Sequence, residues 1–271
     1  LGENPATVEL GSTYDINTGN GGATATDLSG DITVVVSTPF GPIDTSVLGT
    51  NTIVYTATDA SGNSAEATRT VTVVDNTAPV ITVLGENPAT VELGSTYDIN
   101  TGNGGATATD ASGDVTVVVS GAVDTSVLGT NTIVYTATDA SGNIAEAQRT
   151  VTVVDNSPPA FTSSANFTAD ENQTAIGSVT ATDLQSITFA VTGTELNITS
   201  GGVLSFVTAP DFETKSVYTA IVIATDASSN ASEQNITVTV NDVGGFDDNP
   251  ETGTGTDSTV GTDTDTDTDT D

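Results

Sequence analysis

The chain lacks cysteine, methionine, tryptophan and histidine altogether, and its 271 residues include only three basic side chains. The missing residue types exclude disulfides, thiol nucleophiles, Cys/His metal sites and acid–base catalysis by histidine. No apolar run approaches the roughly 20 residues that a membrane-spanning helix needs. The sequence therefore predicts a segment that does not insert into a membrane and is not an enzyme.

Acidic residues, by contrast, are abundant, and the 36 Asp and Glu side chains give a formal charge of −33. Such a surface repels nucleic acid, which we exclude as a partner. Two explanations fit the charge. The acids either keep the protein soluble, or they form sites for divalent cations that relieve their mutual repulsion.

The chain contains a long internal duplication. Residues 1–27 recur letter for letter at 84–110, and residues 44–63 recur at 124–143. Between these blocks the first copy reads STPFGPIDTS and the second reads SGAVDTS. A length change at this point is typical of a surface loop.

Each copy carries the pattern of short β-strands. Segments such as DVTVVVS and NTIVYTAT are rich in Val, Ile, Thr and Tyr, and Gly, Asn, Asp and Ser separate them. No segment of helical period has convincing start and stop signals. Short strands at even spacing favour an all-β fold of tandem seven-stranded sandwiches of the immunoglobulin type.

These patterns divide the chain into four segments. APVITV precedes Leu84, whereas nothing equivalent precedes Leu1, so we expect the first domain to lack its opening strand. The last segment combines a Thr-Asp repeat with an absence of basic residues, which is typical of a disordered acidic linker or tail. The predicted segments are an immunoglobulin-like repeat at 1–76, a second at 77–156, a further sandwich at 157–243 and the Thr/Asp-rich tail at 244–271.

Acidic residues gather at turns and junctions of both copies. Asp59 and Asp139 open the repeated turn DASGN, and further acids follow the GATATD strand and the last strand of each copy. Loops cluster at the two ends of a sandwich, so we expect these oxygens to meet at domain junctions and to bind Ca²⁺, which takes six to eight oxygen ligands. The same residues are ordinary turn formers, so a purely structural role is the alternative. The candidate ligands are Asp75, Asn76, Asp110, Asp114, Asp139, Asp155 and Asn156, with Asp27 and Asp31 at the matching turn of the first copy.

Both copies resemble bacterial surface immunoglobulin-like (HYR-like) repeats. The resemblance rests on GENPATVELGSTYDINTGNGGATATD near the start of each copy, and on YTATDASGN and RTVTVVDN near its end. It implies the stalk of a secreted or cell-surface protein, a bacterial source and no catalytic role.

Residues 158–243 resemble a cadherin repeat. The resemblance rests on PPAF, ADEN, ATD, APDFE, IATD and VNDV, in this order. It implies a cadherin-like sandwich joined end to end with its neighbours, with Ca²⁺ at each junction. By position, it implies ligands at an outgoing junction, Glu171, Asp211, Glu213 and Asp242, and ligands that join Asp155 and Asn156 at the incoming junction, Asp183 and Asp226.

The cadherin-like segment departs from the family pattern at four positions. Phe212 replaces the arginine of an Asp-Arg-Glu motif, Gln185 replaces a second aspartate, and Gly244 and Gly245 replace the Asn-Asp that completes the outgoing linker. A fold that has lost part of its outgoing site is therefore the alternative, unless Asp247 or Asp248 compensates.

The sequence predicts a non-enzymatic extracellular stalk or adhesion segment at a bacterial cell surface, stiffened by Ca²⁺. Its expected partners are copies of itself, other cell-surface proteins or glycans. The alternative is a subunit of an extracellular filament, in which a strand from another chain completes the first domain. A glycosidase with paired carboxylates is disfavoured by the missing residue types, and a sugar-binding module by the few aromatic residues.

Overall fold

The computed structural model describes residues 2–17, 21–28, 30–37 and 42–243. Within these ranges the chain folds into β-strands, with a short 3₁₀ helix at Gly102–Gly104. The predicted all-β fold is confirmed. The tail predicted for residues 244–271 lies outside the described residues.

The chain divides into two compact units, Leu1–Asp155 and a second that begins at Asn156. The first unit holds both copies of the duplication, which are called the first and second repeats below. The four-segment division stays a prediction.

The first repeat forms a four-stranded sheet in the order β1-β4-β3-β2, in which β1 runs parallel to β4 and the other pairs are antiparallel. Alternate residues of the long strands face the core, so that Ile53, Tyr55 and Val71 are almost fully buried. The strands are β1 (Ala6–Glu9), β2 (Ile32–Ser37), β3 (Gly49–Asp59) and β4 (Ser64–Val74).

The second repeat has the same four-stranded sheet, in the order β6-β10-β9-β8, and a second sheet in which β5 pairs with β7. Its core contains Ile133, Tyr135 and Val151, each fully buried. The strands are β5 (Val80–Val83), β6 (Ala89–Glu92), β7 (Ala106–Thr109), β8 (Val115–Ser120), β9 (Gly129–Asp139) and β10 (Ile144–Val154).

The two repeats differ at one edge although their sequences match there. In the second repeat β5 and β7 are antiparallel, with Val83 opposite Ala106. The matching residues of the first repeat, 23–26, are not assigned to a strand. Among the described residues, no strand like β5 lies beside them to complete the hydrogen-bond ladder.

The GNGG segment closes the core of the second repeat. The buried Tyr135 hydroxyl donates a hydrogen bond to the carbonyl oxygen of Gly104. A Cβ at Gly104 would lie 1.5 Å from the carbonyl oxygen of Asp98, so only glycine allows this approach. The first repeat repeats the contact between Tyr55 and Gly21.

The second unit packs two larger sheets and a short two-stranded one around its own core. The sheet orders are β12-β19-β18-β15, β13-β17-β16 and β11-β14. Val222, Ile236 and Val238 lie at the centre of its core. The strands are β11 (Ala160–Phe161), β12 (Asn166–Asp170), β13 (Ala175–Ser178), β14 (Ala181–Thr182), β15 (Thr188–Val191), β16 (Leu196–Ile198), β17 (Val203–Phe206), β18 (Val217–Thr225) and β19 (Ala231–Asn241).

Candidate metal sites

The repeated turn DASGN joins β9 to β10 and is built around the carboxylate of Asp139. Its Oδ1 accepts hydrogen bonds from the backbone N–H groups of Ser141 at 2.9 Å and Asn143 at 2.8 Å. Its Oδ2 accepts one from the Asn143 side chain at 2.8 Å. The turn of the first repeat forms the same three bonds around Asp59. The turn-forming role of these aspartates is therefore real.

Hydrogen bonding also sets the charge state of Asp139. Desolvation by burial would raise the pKa of its carboxyl group, but the hydrogen bonds from Asn143 and from the backbone of Ser141 and Gly142 outweigh it and hold the pKa below its usual value. Asp139 is therefore an anion at neutral pH although only 6% of it is exposed. Buried charges are paired with an opposite charge or coordinate a metal, so a cation is a suitable partner for this carboxylate.

Asp139 does not stand alone, because it meets Asp75 and Asp110. Each of the three aspartates offers a carboxylate oxygen, and these oxygens lie within 4.8 Å of one another. Asp75 is 8% exposed and Asp110 is half-buried. Asp75 follows the last strand of the first repeat, whereas the other two lie in turns of the second repeat. The cluster therefore spans the junction between the repeats, and the role of these three residues as metal ligands stays a prediction.

Two hydrogen bonds fasten the end of the first repeat to this turn. The Ser141 hydroxyl donates to Asp75 Oδ2 at 3.0 Å, and the Asn143 side chain donates to the backbone carbonyl of Asp75 at 3.1 Å. The turn thus serves both its own β-hairpin and the junction.

The linker after Asp75 is held by Glu9. The Glu9 carboxylate accepts hydrogen bonds from the backbone N–H of Asn76 at 2.8 Å and the hydroxyl of Thr77 at 2.8 Å. The Asn76 side chain also donates to it, at 3.3 Å. These bonds lower the pKa of Glu9, the backbone bond from Asn76 first and the hydroxyl bond from Thr77 second. Asn76, a predicted ligand, is thereby engaged with Glu9.

Asp110 and Asp114 differ in their positions relative to the cluster. Asp110 accepts hydrogen bonds from the backbone N–H and the hydroxyl of Ser112, both at 2.8 Å, and belongs to the cluster. Asp114 is exposed and is not a member of that group of three. In the first repeat, Asp27 and Asp59 hold the matching positions, but no third carboxylate joins them within the described part of the chain.

A second cluster lies in the second unit, where Glu171, Asp211 and Glu213 bring carboxylate oxygens within 4.8 Å. Glu171 is only 3% exposed. Its oxygens accept hydrogen bonds from the backbone N–H groups of Phe212 at 3.0 Å and Val243 at 3.1 Å. The cadherin resemblance implies these three residues and Asp242 as outgoing ligands, and that role stays a prediction.

The acids of this second cluster influence one another. A hydrogen bond from its own backbone N–H lowers the pKa of Glu213, but desolvation and the negative charges of Glu171 and Asp242 outweigh it and raise the pKa. Bonds from the Thr214 hydroxyl first, and from backbone N–H groups after it, lower the pKa of Asp211. Asp242 is exposed and acts on the cluster through its charge.

Asp183 and Asp226, also in the second unit, place carboxylate oxygens within 4.8 Å of each other. Asp226 opens a DASSN turn whose bonds from Asn230 copy those of the DASGN turns. Asp155 is the last residue of the first unit, and Asn156 is the first of the second. Their predicted role as ligands with Asp183 and Asp226 stays a prediction.

The few basic side chains are engaged elsewhere. Arg69 and Arg149 are buried in the cores of the repeats, where they donate to the hydroxyls of Tyr14 at 3.4 Å and Tyr97 at 3.0 Å. Lys215 pairs with Glu195 on the surface of the second unit. The clusters therefore offer closely spaced, partly desolvated carboxylate oxygens, a donor set that suits a hard cation such as Ca²⁺.

Sequence reasoning missed Glu9, Ser141 and Asn143 as parts of the junction. Glu9 reaches Asn76 because β1 lies parallel to β4, with Glu9 opposite Val74. VEL and DASGN are identical in both copies, so the sequence did not indicate which copy forms the junction. Within the described residues, only the DASGN turn of the second repeat meets a preceding linker. Nor did the sequence indicate that Arg69 and Arg149 are core residues.

No helix in the described part of the chain combines the length and the apolar character needed to cross a membrane.

Comparison with known families gives a match over both repeats. The family described as "Bacterial surface protein, Ig-like domain" matches residues 1–73 and 81–153, more than half of the chain.

Two curated relatives are similar in sequence over 143 residues, which is half of this chain. Hyalin of Strongylocentrotus purpuratus is 41% identical and hyalin of Lytechinus variegatus is 39% identical. The matched region spans 12% of the first hyalin and 27% of the second.

Solved structures of cadherin repeats are similar at lower identity. Protocadherin gammaB7 EC3-6 is 16% identical, with a TM-score of 0.37 over 88% of this chain and 72% of that one. Mouse cadherin-23 EC22-24 is 15% identical, with a TM-score of 0.36 over 90% and 97%.

Proposed function

We propose that this chain, which belongs to the family of bacterial surface protein Ig-like domains, is a non-enzymatic segment of an extracellular stalk or adhesin. In this proposal Ca²⁺ binds at the junctions between β-sandwich repeats and stiffens the segment. Its partners are copies of itself or other cell-surface proteins or glycans.

The observation that carries the calcium proposal is the meeting of Asp75, Asp110 and Asp139 across the junction of the two repeats. Three carboxylates at this distance repel one another, and two of them are shielded from water. A divalent cation removes that repulsion and adds bonds that exist only when the two repeats keep one orientation. Cation binding at such a site therefore makes the junction between the repeats more rigid.

Glu171, Asp211 and Glu213 support a second calcium site in the second unit. Glu171 is positioned for this role by two backbone N–H groups, one of them from Val243 at the end of the described residues. A cation there ties the backbone at Val243, through Glu171, to the turn that carries Asp211 and Glu213.

The test is a calcium titration of the full chain. We expect binding with a Kd of roughly 10⁻⁴–10⁻³ M, as in other extracellular modules, a higher melting temperature and a narrower scattering profile than in chelator. NaCl at matched ionic strength is the control, because it screens the charges without coordinating them. Equal melting curves in Ca²⁺ and chelator, or an equal rise with NaCl, would refute the proposal.

The second candidate function is a subunit of an extracellular filament. The observation that favours it is the first repeat, in which residues 23–26 are not paired as β7 is. If a strand from another chain pairs with this edge, the molecules are linked head to tail. Negative-stain imaging of the purified chain separates the candidates, since open-ended fibres support the filament and isolated particles contradict it.

A further inference from the structure

Strand β8 of the second repeat has a free edge in the described part of the chain. The sheet order β6-β10-β9-β8 places it last, with β9 as its neighbour. A free edge presents a row of backbone N–H and C=O groups that another strand can bind, and proteins usually blunt such edges with charged residues, proline or a bulge. The sequence of β8, VTVVVS, contains neither a charge nor a proline, and its register with β9 is unbroken.

The side chains of β8 alternate between the core and the solvent. Val117 and Val119 pack against the core of the second repeat. Thr116, Val118 and Ser120 are exposed on the opposite face, Val118 to 59%. The outward row therefore places one large apolar side chain between two hydroxyl groups.

We propose that β8 pairs antiparallel with β8 of a second copy of this chain, with Val118 opposite its own counterpart. This pairing rests on the proposed function, which expects copies of the chain as partners, and it names the surface through which they meet. Opposite residues of an antiparallel pair lie on the same face of the sheet. Thr116 of one copy therefore lies opposite Ser120 of the other, and Val117 lies opposite Val119.

The strand is complementary to itself in this register. Each exposed Val118 is covered by the same side chain of the other copy, and the flanking hydroxyls of Thr116 and Ser120 face each other. Pairs of both kinds stabilise adjacent strands. The free backbone groups of the two edges bond to one another, so that the two four-stranded sheets become continuous.

The distribution of charge also favours a second copy in this register. The formal charge of −33 makes two copies repel each other, so a contact between them needs a surface without opposed carboxylates. Asp114, which precedes β8, is four residues from Val118. In the paired strands the two Asp114 residues are therefore roughly 27 Å apart along the strand direction, well beyond the Debye length of about 8 Å at physiological ionic strength.

Strand β2 of the first repeat has the related sequence ITVVVS, and its Val35 is 57% exposed. Pro39 follows this strand closely, whereas the residues that follow β8 include no proline before Asp124. Proline disfavours the pairing of a sheet edge. We therefore assign the contact to β8, and β2 supplies the matched control.

The test is disulfide trapping in the full chain, which has no cysteine of its own. Val118→Cys should give a covalent dimer on mild oxidation, because opposite Cα atoms of an antiparallel pair lie about 4.5–5.5 Å apart, within reach of a disulfide. Thr116→Cys and Ser120→Cys should each stay monomeric, whereas an equimolar mixture of the two should cross-link. Val35→Cys should cross-link at least tenfold more slowly than Val118→Cys.

Sedimentation velocity of the native chain in chelator provides the second measurement. The dimer fraction should rise with protein concentration and with NaCl from about 0.15 to 1 M, because salt screens the repulsion between copies. Val118→Lys should weaken dimerisation at least tenfold and, since Val118 is exposed, should keep the native melting temperature. Chelator separates this test from the calcium proposal, so that either can fail while the other stands.

Three results would overturn the proposal. One is a native chain that stays monomeric at millimolar concentration in about 1 M NaCl. Another is equal cross-linking of Val118→Cys and of Thr116→Cys alone, which would indicate random collision. The third is cross-linking of Val35→Cys as fast as that of Val118→Cys, which would remove the contact from β8.

Discussion

The Ser141 hydroxyl of the second repeat donates a hydrogen bond to the carboxylate of Asp75, which ends the first repeat, at 3.0 Å. A turn that closes one β-hairpin is thus also the surface on which the preceding repeat docks. The chain holds the same turn in the first repeat, around Asp59, without a partner of this kind in the described residues. The duplication therefore supplies a matched pair for separating the turn role from the junction role.

Asp139→Asn and Asp59→Asn are expected to differ in their response to calcium. Both changes weaken the same hydrogen bonds within a DASGN turn, so both should lower stability in chelator. Asp139→Asn should lower it by less, because it also relieves the repulsion from Asp75 and Asp110. Only Asp139 belongs to a three-carboxylate cluster. Asp139→Asn should therefore abolish the calcium-dependent rise in melting temperature assigned to this junction, and Asp59→Asn should keep it. Equal rises in the two variants would contradict the site.

The DASGN and DASSN turns predict opposite effects of a glycine–serine exchange. Gly142 has a φ of +91° and Ser229, its counterpart in the second unit, a φ of +74°. A residue with a side chain loses roughly 1–2 kcal/mol of stability at such a positive φ. Glycine avoids that strain but loses roughly 0.5–1 kcal/mol through the additional backbone entropy of the unfolded chain. Ser229→Gly should therefore raise the free energy of unfolding by about 0.5–1 kcal/mol, and Gly142→Ser should lower it. Urea denaturation measures both, and destabilisation by Ser229→Gly would contradict the argument.

Local patterns in the sequence were enough to predict the all-β fold and to single out candidate acids, whose role as metal ligands stays a prediction. Strand residues alternate in the string itself, and Asp75, Asp110 and Asp139 lie next to strand ends that a sandwich gathers at one edge. Asp114 could not be separated from Asp110 in this way, because the path of a four-residue turn decides which carboxylate faces the junction.

Features that depend on pairing between distant strands were not predictable. Glu9 holds Asn76 only because β1 is parallel to β4 in one particular register. Arg149 is buried because the Tyr97 hydroxyl and the carbonyl of Leu84, both more than 50 residues away, accept its hydrogen bonds. Gly104 is required by its approach to the backbone of Asp98, which the GNGG string alone does not reveal.

Asp124 predicts a pH dependence away from the candidate metal sites. The Ser126 hydroxyl at 2.6 Å, and then its backbone N–H at 3.0 Å, donate to this carboxylate and lower its pKa. A lowered pKa gives stability that is present above the unfolded value of about 3.9 and is lost as the pH falls through the folded value. The native chain should therefore have a higher free energy of unfolding than Asp124→Asn at pH 7, and this difference should disappear below pH 4.

Asp44 provides the control for this prediction. It accepts the same two bonds from Ser46 in the first repeat, and its pKa is lowered for the same reasons. Asp44→Asn should show the same closing gap, and the double variant should show the sum of the two, because the sites lie in different repeats and share no hydrogen-bond partner. A gap that stays constant from pH 7 to pH 2 would show that charge is not involved.

Glu213→Gln predicts a trade-off between the calcium-free and calcium-bound states. Desolvation first, and then the charge of Glu171, a hydrogen bond with Asp211 and the charge of Asp242, raise the pKa of Glu213 and disfavour its ionised form. Removing its charge should therefore raise the melting temperature in chelator. The same change removes a carboxylate from the cluster, so it should reduce the gain on adding Ca²⁺. Glu233→Gln, on the exposed face of β19, is the matched control and should alter neither value. If Glu213→Gln instead lowered the melting temperature in chelator and left the calcium gain intact, the carboxylate would be a structural hydrogen-bonding group, and the second unit would not hold a cation at this cluster.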